Sequence, residues 1–203
     1  GNPSLKPSYT NTFTLNYNSY NVNHQRNMVV SLFVENVLNS VTNQFTYDSE
    51  TGGRTTMPVN LNGNWRASGS LSLSGPFNNR NWLFRTYSYL QYRNQNGYTT
   101  QNKEEPMKSS VQHLTARERL QLTFRTRQLE LSARGEVFYN NSYNNVKDMR
   151  TETFDYQLGG DLQYYLPWGF ECSSDLTYFL RTGYGYDSSG RKNLIWNCQL
   201  SKA

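Results

Sequence analysis

The sequence predicts an all-β fold, an antiparallel up-and-down meander of about nine long strands that forms part of a transmembrane β-barrel. Three observations support this prediction. Apolar and polar residues alternate with a period of two, the predicted strands exceed ten residues in several places, and short connections alternate with long ones. Soluble sheets mostly use strands of about five or six residues, whereas longer strands joined in this way are typical of outer-membrane barrels.

The alternation of apolar and polar residues is clearest from Leu129 onward. Odd positions from Leu129 to Tyr139 are apolar or small, whereas even positions from Glu130 to Glu136 are charged or polar. An extended segment with this pattern has one apolar face and one polar face. Similar patterns predict nine strands, at residues 9–22, 28–47, 55–74, 82–95, 111–126, 128–141, 151–166, 170–186 and 193–200.

Turn-forming residues separate these strands. Aromatic residues gather beside the short connections, as Trp82 and Trp168 illustrate. Amphipathic rings at strand ends are typical of a membrane–water boundary, so we predict that they mark it. Short connections are expected at 23–27, at 75–81, near Arg127 and at 167–169, and long polar ones at 48–54, 96–110, 142–150 and 187–192.

The composition excludes several classes of protein. The chain has 203 residues and a net charge of +5, with only 35% hydrophobic and 17% charged residues, so uncharged residues such as its 25 asparagines supply most of the polarity. No stretch approaches the ~20 consecutive apolar residues of a spanning helix. An aromatic content of 15% argues against a disordered chain. Basic residues are scattered singly among acidic ones, which argues against nucleic acid as a partner.

A closed barrel explains how so polar a chain can fold. Lipid takes the place of a protein core, and only one face of each strand needs to be apolar. The other face is expected to line a hydrated interior, where charges are tolerated. Acidic residues on that face are predicted to pair with arginines on neighbouring strands, with a two-carboxylate hydrolase site as the alternative. The acidic residues concerned are Asp155, Asp161, Glu171 and Asp175, and the arginines are Arg134 and Arg181.

Glu118 breaks the alternation, because it falls in the apolar register of its strand. We expect either a β-bulge that shifts the register at this point or a local exchange of the two faces. The strand at 82–95 is also only weakly amphipathic.

The sequence predicts no catalytic residue, no cofactor and no metal site. His113 lies near Arg117 and Arg119, but nothing marks a nucleophile beside it, so we interpret it as a structural residue. Histidine is too scarce for a site built from imidazoles.

Two cysteines, Cys172 and Cys198, lie on consecutive predicted strands. A hairpin centred near Ser189 would place Cys198 closer to Phe179 than to Cys172, so we do not expect a disulfide.

The first seven residues, Gly-Asn-Pro-Ser-Leu-Lys-Pro, precede an alternating strand, and this opening resembles a segment that recurs in the barrels of TonB-dependent receptors. Ser8 stands where that family usually has Glu. The strand that begins Pro58-Val59-Asn60 and the Asn- and Tyr-rich strands after it look like outer-membrane β-barrel proteins of Bacteroidetes that are related to those receptors.

This resemblance implies a location in the outer membrane, with the lipid bilayer as a partner. It also implies an upstream plug domain, an energy-coupling protein, and import of a bulky nutrient such as siderophore-bound iron, cobalamin or a glycan. Residues 1–203 are then a single β-barrel segment, a fragment of a larger barrel. In isolation, such a fragment is expected to close on itself, to self-associate through its edge strands, or to be protected in another way.

Ligand contacts are predicted on the long connections, because binding residues concentrate on loops carried by a rigid scaffold. A merely solvated loop is the alternative. The candidates are Lys103, Glu104, Glu105 and Lys108 in the connection 96–110, and Tyr143 in a Tyr- and Asn-rich connection suited to glycans.

Two other functions stay open at this point. One is a soluble extracellular β-sandwich module that binds carbohydrate. The other is a barrel enzyme of the protease or lipase kind, which would depend on His113. Two packed sheets around a dry interior would favour the first, and hydrolysis lost on changing His113 would favour the second.

Overall fold

A computed structural model describes residues 2–48, 50–77, 79–99, 105–185 and 192–202. Within these residues the chain forms eleven strands and one short 3-10 turn at Pro167–Gly169. The strands are β1 (Tyr9–Asn21), β2 (Arg26–Leu38), β3 (Ser40–Tyr47), β4 (Arg54–Leu61), β5 (Asn64–Phe77), β6 (Asn79–Thr99), β7 (Met107–Arg125), β8 (Leu129–Asn144), β9 (Met149–Tyr165), β10 (Phe170–Thr182) and β11 (Lys192–Lys202).

Nine of the strands form one antiparallel sheet in the order β1-β2-β5-β6-β7-β8-β9-β10-β11. Each strand pairs with the next along the sheet, which confirms the predicted meander of long strands. β3 and β4 form a separate two-stranded sheet between β2 and β5.

This extra hairpin corrects the predicted strands 28–47 and 55–74, each of which is divided in two. The breaks fall at Asn39, with φ 52°, and at Gly63, with φ 100°. A left-handed residue cannot continue an extended strand, so the chain leaves the main sheet at Asn39 and rejoins it after Gly63.

Connections at the two ends of the sheet differ, as predicted. We call one end the short-turn end, where tight turns join β1 to β2, β5 to β6, β7 to β8 and β9 to β10. The other end, which we call the long-loop end, carries the β3–β4 hairpin. It is less loop-rich than expected, because β6 runs to Thr99, β7 starts at Met107, and only residues 145–148 join β8 to β9.

The sheet is a single layer. Among the described residues, Leu61 is the one buried hydrophobic side chain, at 8% exposure, whereas Leu90 and Leu158 keep 56% and 59% of their surfaces exposed. A soluble sandwich hides such residues between two sheets, so this alternative was wrong. The described part of the chain contains no helix that is long and apolar enough to cross a membrane.

The register gives the sheet two chemically different faces, because residues directly opposite each other on paired strands project to the same side. The apolar face contains one row formed by Leu32, Gly69, Leu90, Ala116, Tyr139 and Phe154. The polar face contains the adjacent row formed by Ser70, Tyr89, Arg117, Phe138, Asp155 and Arg181.

The outermost strands of the sheet are β1 and β11. Within the described residues, β1 pairs with β2 alone and β11 with β10 alone. Their side chains are almost all exposed. Both edges therefore present backbone donors and acceptors that lack a strand partner in this part of the chain.

Candidate functional site on the polar face and at the long-loop end

The polar face carries a cluster of charges centred on Glu136 of β8. Arg119 on β7 lies directly opposite and places its Nη2 atom 2.6 Å from the carboxylate, and Arg117 Nε lies 3.1 Å from the other carboxylate oxygen. The Glu136 side chain is only 17% exposed, against 51% for Arg119. The arginines therefore cover the carboxylate and present their own outer surfaces to the interior.

Arg134 links three strands of the same face. It forms an ion pair with Asp161 on β9 and donates a hydrogen bond of 2.9 Å to the Thr177 hydroxyl on β10. Its side chain lies flat over Gly159, where a Cβ atom would sit 2.7 Å from Arg134 Nε. The predicted pairing of Arg134 with Asp161 is confirmed.

The other acidic residues bind differently from the prediction. Glu171 accepts a hydrogen bond from Gln163 at 2.6 Å, and Asp175 accepts one from Asn197 at 3.0 Å. In the register, Tyr165 and Ser201 lie opposite Glu171. Asp161 and Asn197 lie opposite Asp175, so neither carboxylate has an arginine directly across from it. For Glu171 and Asp175 the prediction was therefore wrong.

Asp155 lies opposite Arg181, yet its hydrogen bond comes from the Tyr184 hydroxyl, at 2.9 Å. Its Oδ1 atom is buried and accepts no hydrogen bond from the described residues.

Two arginines of this face lie over aromatic rings. The guanidinium of Arg66 is 4.8 Å from the Phe33 ring centre and 3.5 Å from Glu35, and Arg117 is 4.8 Å from the Phe138 ring centre. The Nε atoms of both arginines are buried without an aligned hydrogen bond in the described structure. A guanidinium group that lies flat on an aromatic ring keeps the N–H groups along its edge available, and these can donate to water or to a polar solute.

His113 lies on the polar face between Arg93 and Ser142 in the register. The described residues contain no group of three or more His, Cys, Asp or Glu side chains placed to hold a metal ion.

Asparagine side chains connect the elements at the long-loop end. The amide of Asn60 accepts a hydrogen bond from the Lys6 main-chain N–H at 2.7 Å and donates one to the Lys6 carbonyl at 2.9 Å. It also donates to the Asn39 carbonyl at 2.7 Å. One side chain thus connects the segment at residues 2–8 to the base of the β3–β4 hairpin. It binds main-chain groups that a neighbouring strand would bind in a regular sheet.

A second group of asparagines joins the hairpin to β6. Asn96 donates its main-chain N–H to the Asn64 side chain at 2.6 Å and its own amide to the Asn62 carbonyl at 2.7 Å, and Asn94 donates to the Gly63 carbonyl at 2.6 Å. A Cβ atom on Gly63 would collide with the Asn96 amide. This network was not predicted, although Asn60, Asn62 and Asn64 alternate along the chain.

The predicted ligand residues lie apart from one another. Lys103 and Glu104 fall outside the described residues. Glu105 and Lys108 are exposed near the start of β7. Tyr143 lies on the β8–β9 hairpin and not beside Glu105 or Lys108. Its hydroxyl donates a hydrogen bond to Asp148 at 3.2 Å, and its ring lies beneath the Arg150 guanidinium. A ligand-binding role for these residues stays a prediction.

The tip of the β3–β4 hairpin is closed by Asp48. The Thr51 hydroxyl donates to its carboxylate at 2.8 Å, and the main-chain N–H of Glu50 donates at 2.9 Å. These donors, the Thr51 hydroxyl above all, hold the pKa of Asp48 below its usual value because they favour the charged form.

A long-stranded antiparallel meander with one apolar and one charged face is the architecture of an outer-membrane barrel wall. The model of the outer membrane protein beta-barrel family matches residues 1–200 of the chain. The chain belongs to this family. It is accordingly a protein of the outer membrane, and its apolar face meets the acyl chains. A comparison with curated proteins gives no match.

Aromatic pairs mark both boundaries of the lipid-facing band in this barrel protein. Trp65 packs on Tyr92 with ring centres 4.8 Å apart toward the long-loop end, and Trp82 packs on Phe124 at 4.9 Å toward the short-turn end. On β7 the apolar positions run from Leu114 to Phe124. Ten residues of a tilted strand span about 25 Å, which matches the apolar band of such barrels.

The cysteines lie on this lipid-facing side. Leu180 pairs with Lys192, so Cys198 falls opposite Ser174 and Cys172 opposite Leu200. The predicted position of Cys198 near Phe179 was wrong, because the β10–β11 hairpin is centred earlier in the chain. Both cysteines are free thiols.

Proposed function

We propose that the chain forms part of the barrel of an outer-membrane receptor and transporter of the TonB-dependent type, which imports a bulky polar nutrient. The observation that supports this most directly is the charged polar face. A network of arginines and carboxylates runs across β7, β8, β9 and β10 on the side opposite the lipid. Such a network is stable only against water, a polar solute or another polar protein surface.

The open edges of the sheet support a large barrel. In hydrocarbon, the backbone groups of β1 and β11 need strand partners. We therefore propose that further strands pair with both edges, so that residues 1–203 are one segment of a larger barrel. Barrels well above nine strands enclose a lumen wide enough for bulky cargo and for a plug domain. The charged face then contacts that plug, and an energy-coupling protein acts on it.

The long-loop end provides the entrance in this proposal. Asparagine side chains anchor the hairpin β3–β4 and the segment at residues 2–8 to the barrel wall. A rigid rim can carry ligand-binding residues on its connections and on the adjoining strand ends. Glu105, Lys108 and Tyr143 are the described candidates.

Energy-dependent uptake tests the proposal. Cells with and without the protein would be supplied in turn with ferric siderophores, cobalamin and oligosaccharides that exceed the limit of small pores. We expect uptake of one of these classes to require the protein and to stop when an uncoupler collapses the proton gradient. Replacing both Arg117 and Arg119 with Met should lower that uptake at least several-fold, while the barrel still reaches the outer membrane.

A matched control changes the opposite face. Leu120→Ala and Leu122→Ala, on the same strand and facing lipid, should leave uptake unchanged at equal protein abundance. Uptake that persists after uncoupling, together with passive conductance for small ions in planar bilayers, would identify a passive pore and contradict the proposal.

A further inference from the structure

Glu118 lies within the lipid-facing band. β7 pairs with β6 and β8 in an uninterrupted register around it, with Ser88 on one side and Val137 on the other. The predicted bulge is therefore absent from this described stretch, and the carboxylate does project from the apolar face. On β7 it lies four residues from Leu114 and six from Phe124, which is near the middle of the apolar band.

The carboxylate has no partner within the described chain. It forms no hydrogen bond and no ion pair there, and it is solvent-exposed when lipid is absent. Among the described residues, it is the one acidic side chain that the register places on the apolar face inside the aromatic boundaries. An ionisable group in this position is costly for a membrane protein unless a second polar group meets it.

The surface beside Glu118 is concave. A shallow depression of about 450 Å³ lies next to it, and its lining includes the small residues Gly69, Ser88 and Ala116. Leu32, Leu90 and Tyr139 also line it. Small residues allow close approach of another protein surface in a membrane. The depression can hold an aliphatic side-chain stem whose polar end reaches the carboxylate.

We propose that Glu118 and this depression form a docking site, within the bilayer, for a Lys or Arg side chain of a membrane-embedded partner protein. Charge complementarity carries the proposal. A long cationic side chain fills an apolar groove with its methylene groups and neutralises a carboxylate with its head. This inference does not depend on the transported nutrient.

A second copy of the chain fits the site less well. Inside the aromatic boundaries, the described cations of the apolar face are Arg26 and Lys192, which lie at the first residues of β2 and β11 and away from Glu118. Two copies inserted in the same direction and meeting through this face would bring their Glu118 carboxylates to the same depth and close together. Like charges oppose that contact.

Association with a defined membrane helix tests the proposal. The complete protein, with a donor fluorophore, would be placed in phosphatidylcholine vesicles with acceptor-labelled single-span helices of Leu and Ala. The helices carry Lys, Leu or Glu at the central position. We expect the Lys helix to associate at least about tenfold more tightly than the Leu helix. Glu118→Gln should abolish this difference, and Glu118→Lys should transfer the preference to the Glu helix.

Glu152→Gln is the matched control, because Glu152 lies on the same face at the aromatic boundary, in the register row of Tyr92, and accepts a hydrogen bond from Asn141 at 2.7 Å. It should leave the preference for Lys intact. Equal association of the Lys and Leu helices, or a preference that survives Glu118→Gln, would overturn the proposal. Glu118-dependent transfer between donor- and acceptor-labelled copies of the protein, unaffected by the Lys helix, would overturn it in favour of a dimer. Because Glu118→Gln removes a charge from the lipid face, the variant should fold at least as well as the parent.

Discussion

The two faces of the sheet are built from alternate residues of the same strands, yet they depend on different interactions. Leu158 keeps 59% of its surface exposed on the apolar face and needs only a fluid apolar solvent. Its neighbours along the sheet on the polar face, such as Arg134, bind named partners at fixed distances. A position on the lipid face therefore requires only an apolar residue, whereas a position on the interior face requires the particular residue that binds its neighbours.

The largest effect is expected from placing a charge on the lipid face. Leu158→Arg puts a guanidinium near the middle of the band and should lower the free energy of unfolding by about 2–4 kcal/mol. Gln157→Arg, one residue earlier and opposite Glu136, should change it by less than about 1 kcal/mol. Denaturant unfolding of the complete barrel in lipid vesicles measures both. Equal losses at the two positions would mean that the faces are not separated as described.

Removing a named partner on the interior face should have the next largest effect. Arg134→Met retains the stem but loses the ion pair with Asp161 and the bond to Thr177, so we expect a loss of about 1–2 kcal/mol. A double-mutant cycle with Asp161→Asn isolates the pair and should give a coupling energy below the sum of the single losses. Arg125→Met, whose side chain is 56% exposed, should cost less than about 1 kcal/mol. A coupling energy of zero would contradict the assigned pair.

Adjacent glycines sharpen the comparison further. A methyl group on Gly159 meets the Arg134 side chain at 2.7 Å, whereas one on Gly160 has the Ser132 carbonyl as its nearest atom, at 3.6 Å. Gly159→Ala should therefore destabilise by up to about 1 kcal/mol through displacement of the arginine. Gly160→Ala should be neutral or stabilising by up to about 1 kcal/mol, because it restricts the unfolded chain. The same unfolding assay measures both variants. A Gly160→Ala variant that is less stable than Gly159→Ala would contradict the prediction.

The smallest effect on stability is expected from filling the depression. Ala116→Leu adds apolar volume against lipid, so the free energy of unfolding should change by no more than about 0.5 kcal/mol. The same change should weaken association of the Lys helix, because it occupies the groove beside Glu118. Strong destabilisation would indicate that Ala116 packs against protein.

Much of the fold could be predicted from the sequence, because a sheet between lipid and water repeats its chemistry every second residue. The strands β8, β9 and β10 follow this repeat closely. The β3–β4 hairpin was not predicted, because the alternation continues across Gly63 while the backbone at Asn39 and Gly63 is left-handed. A pattern of side-chain polarity does not record the sign of φ at a single residue.

The candidate site was predictable only in part. Charge pairing of Arg134 with Asp161 follows from neighbouring strands, but the partners of Glu171 and Asp175 depend on the register, which the alternation alone does not fix. The asparagine network was not predicted either, because the alternation of asparagines at 60–64 does not show that Asn60 and Asn96 bind main-chain groups of distant segments. Glu118 is the opposite case, because its departure from the pattern was visible in the sequence and is retained in the structure.

The uninterrupted pairing of the strands has a consequence for how genes of this kind can change length. In the described pairings of the main sheet, a register shift occurs only between Pro76 and Phe77, beside the β5–β6 turn. Adding or deleting one codon in the middle of β7 would move every later side chain of that strand to the opposite face of the sheet. Apolar side chains would then face water and polar ones lipid, so such alleles should be lost by selection. Insertions and deletions of single codons should instead accumulate beyond the aromatic boundaries. Inside these boundaries, insertions and deletions should involve pairs of codons.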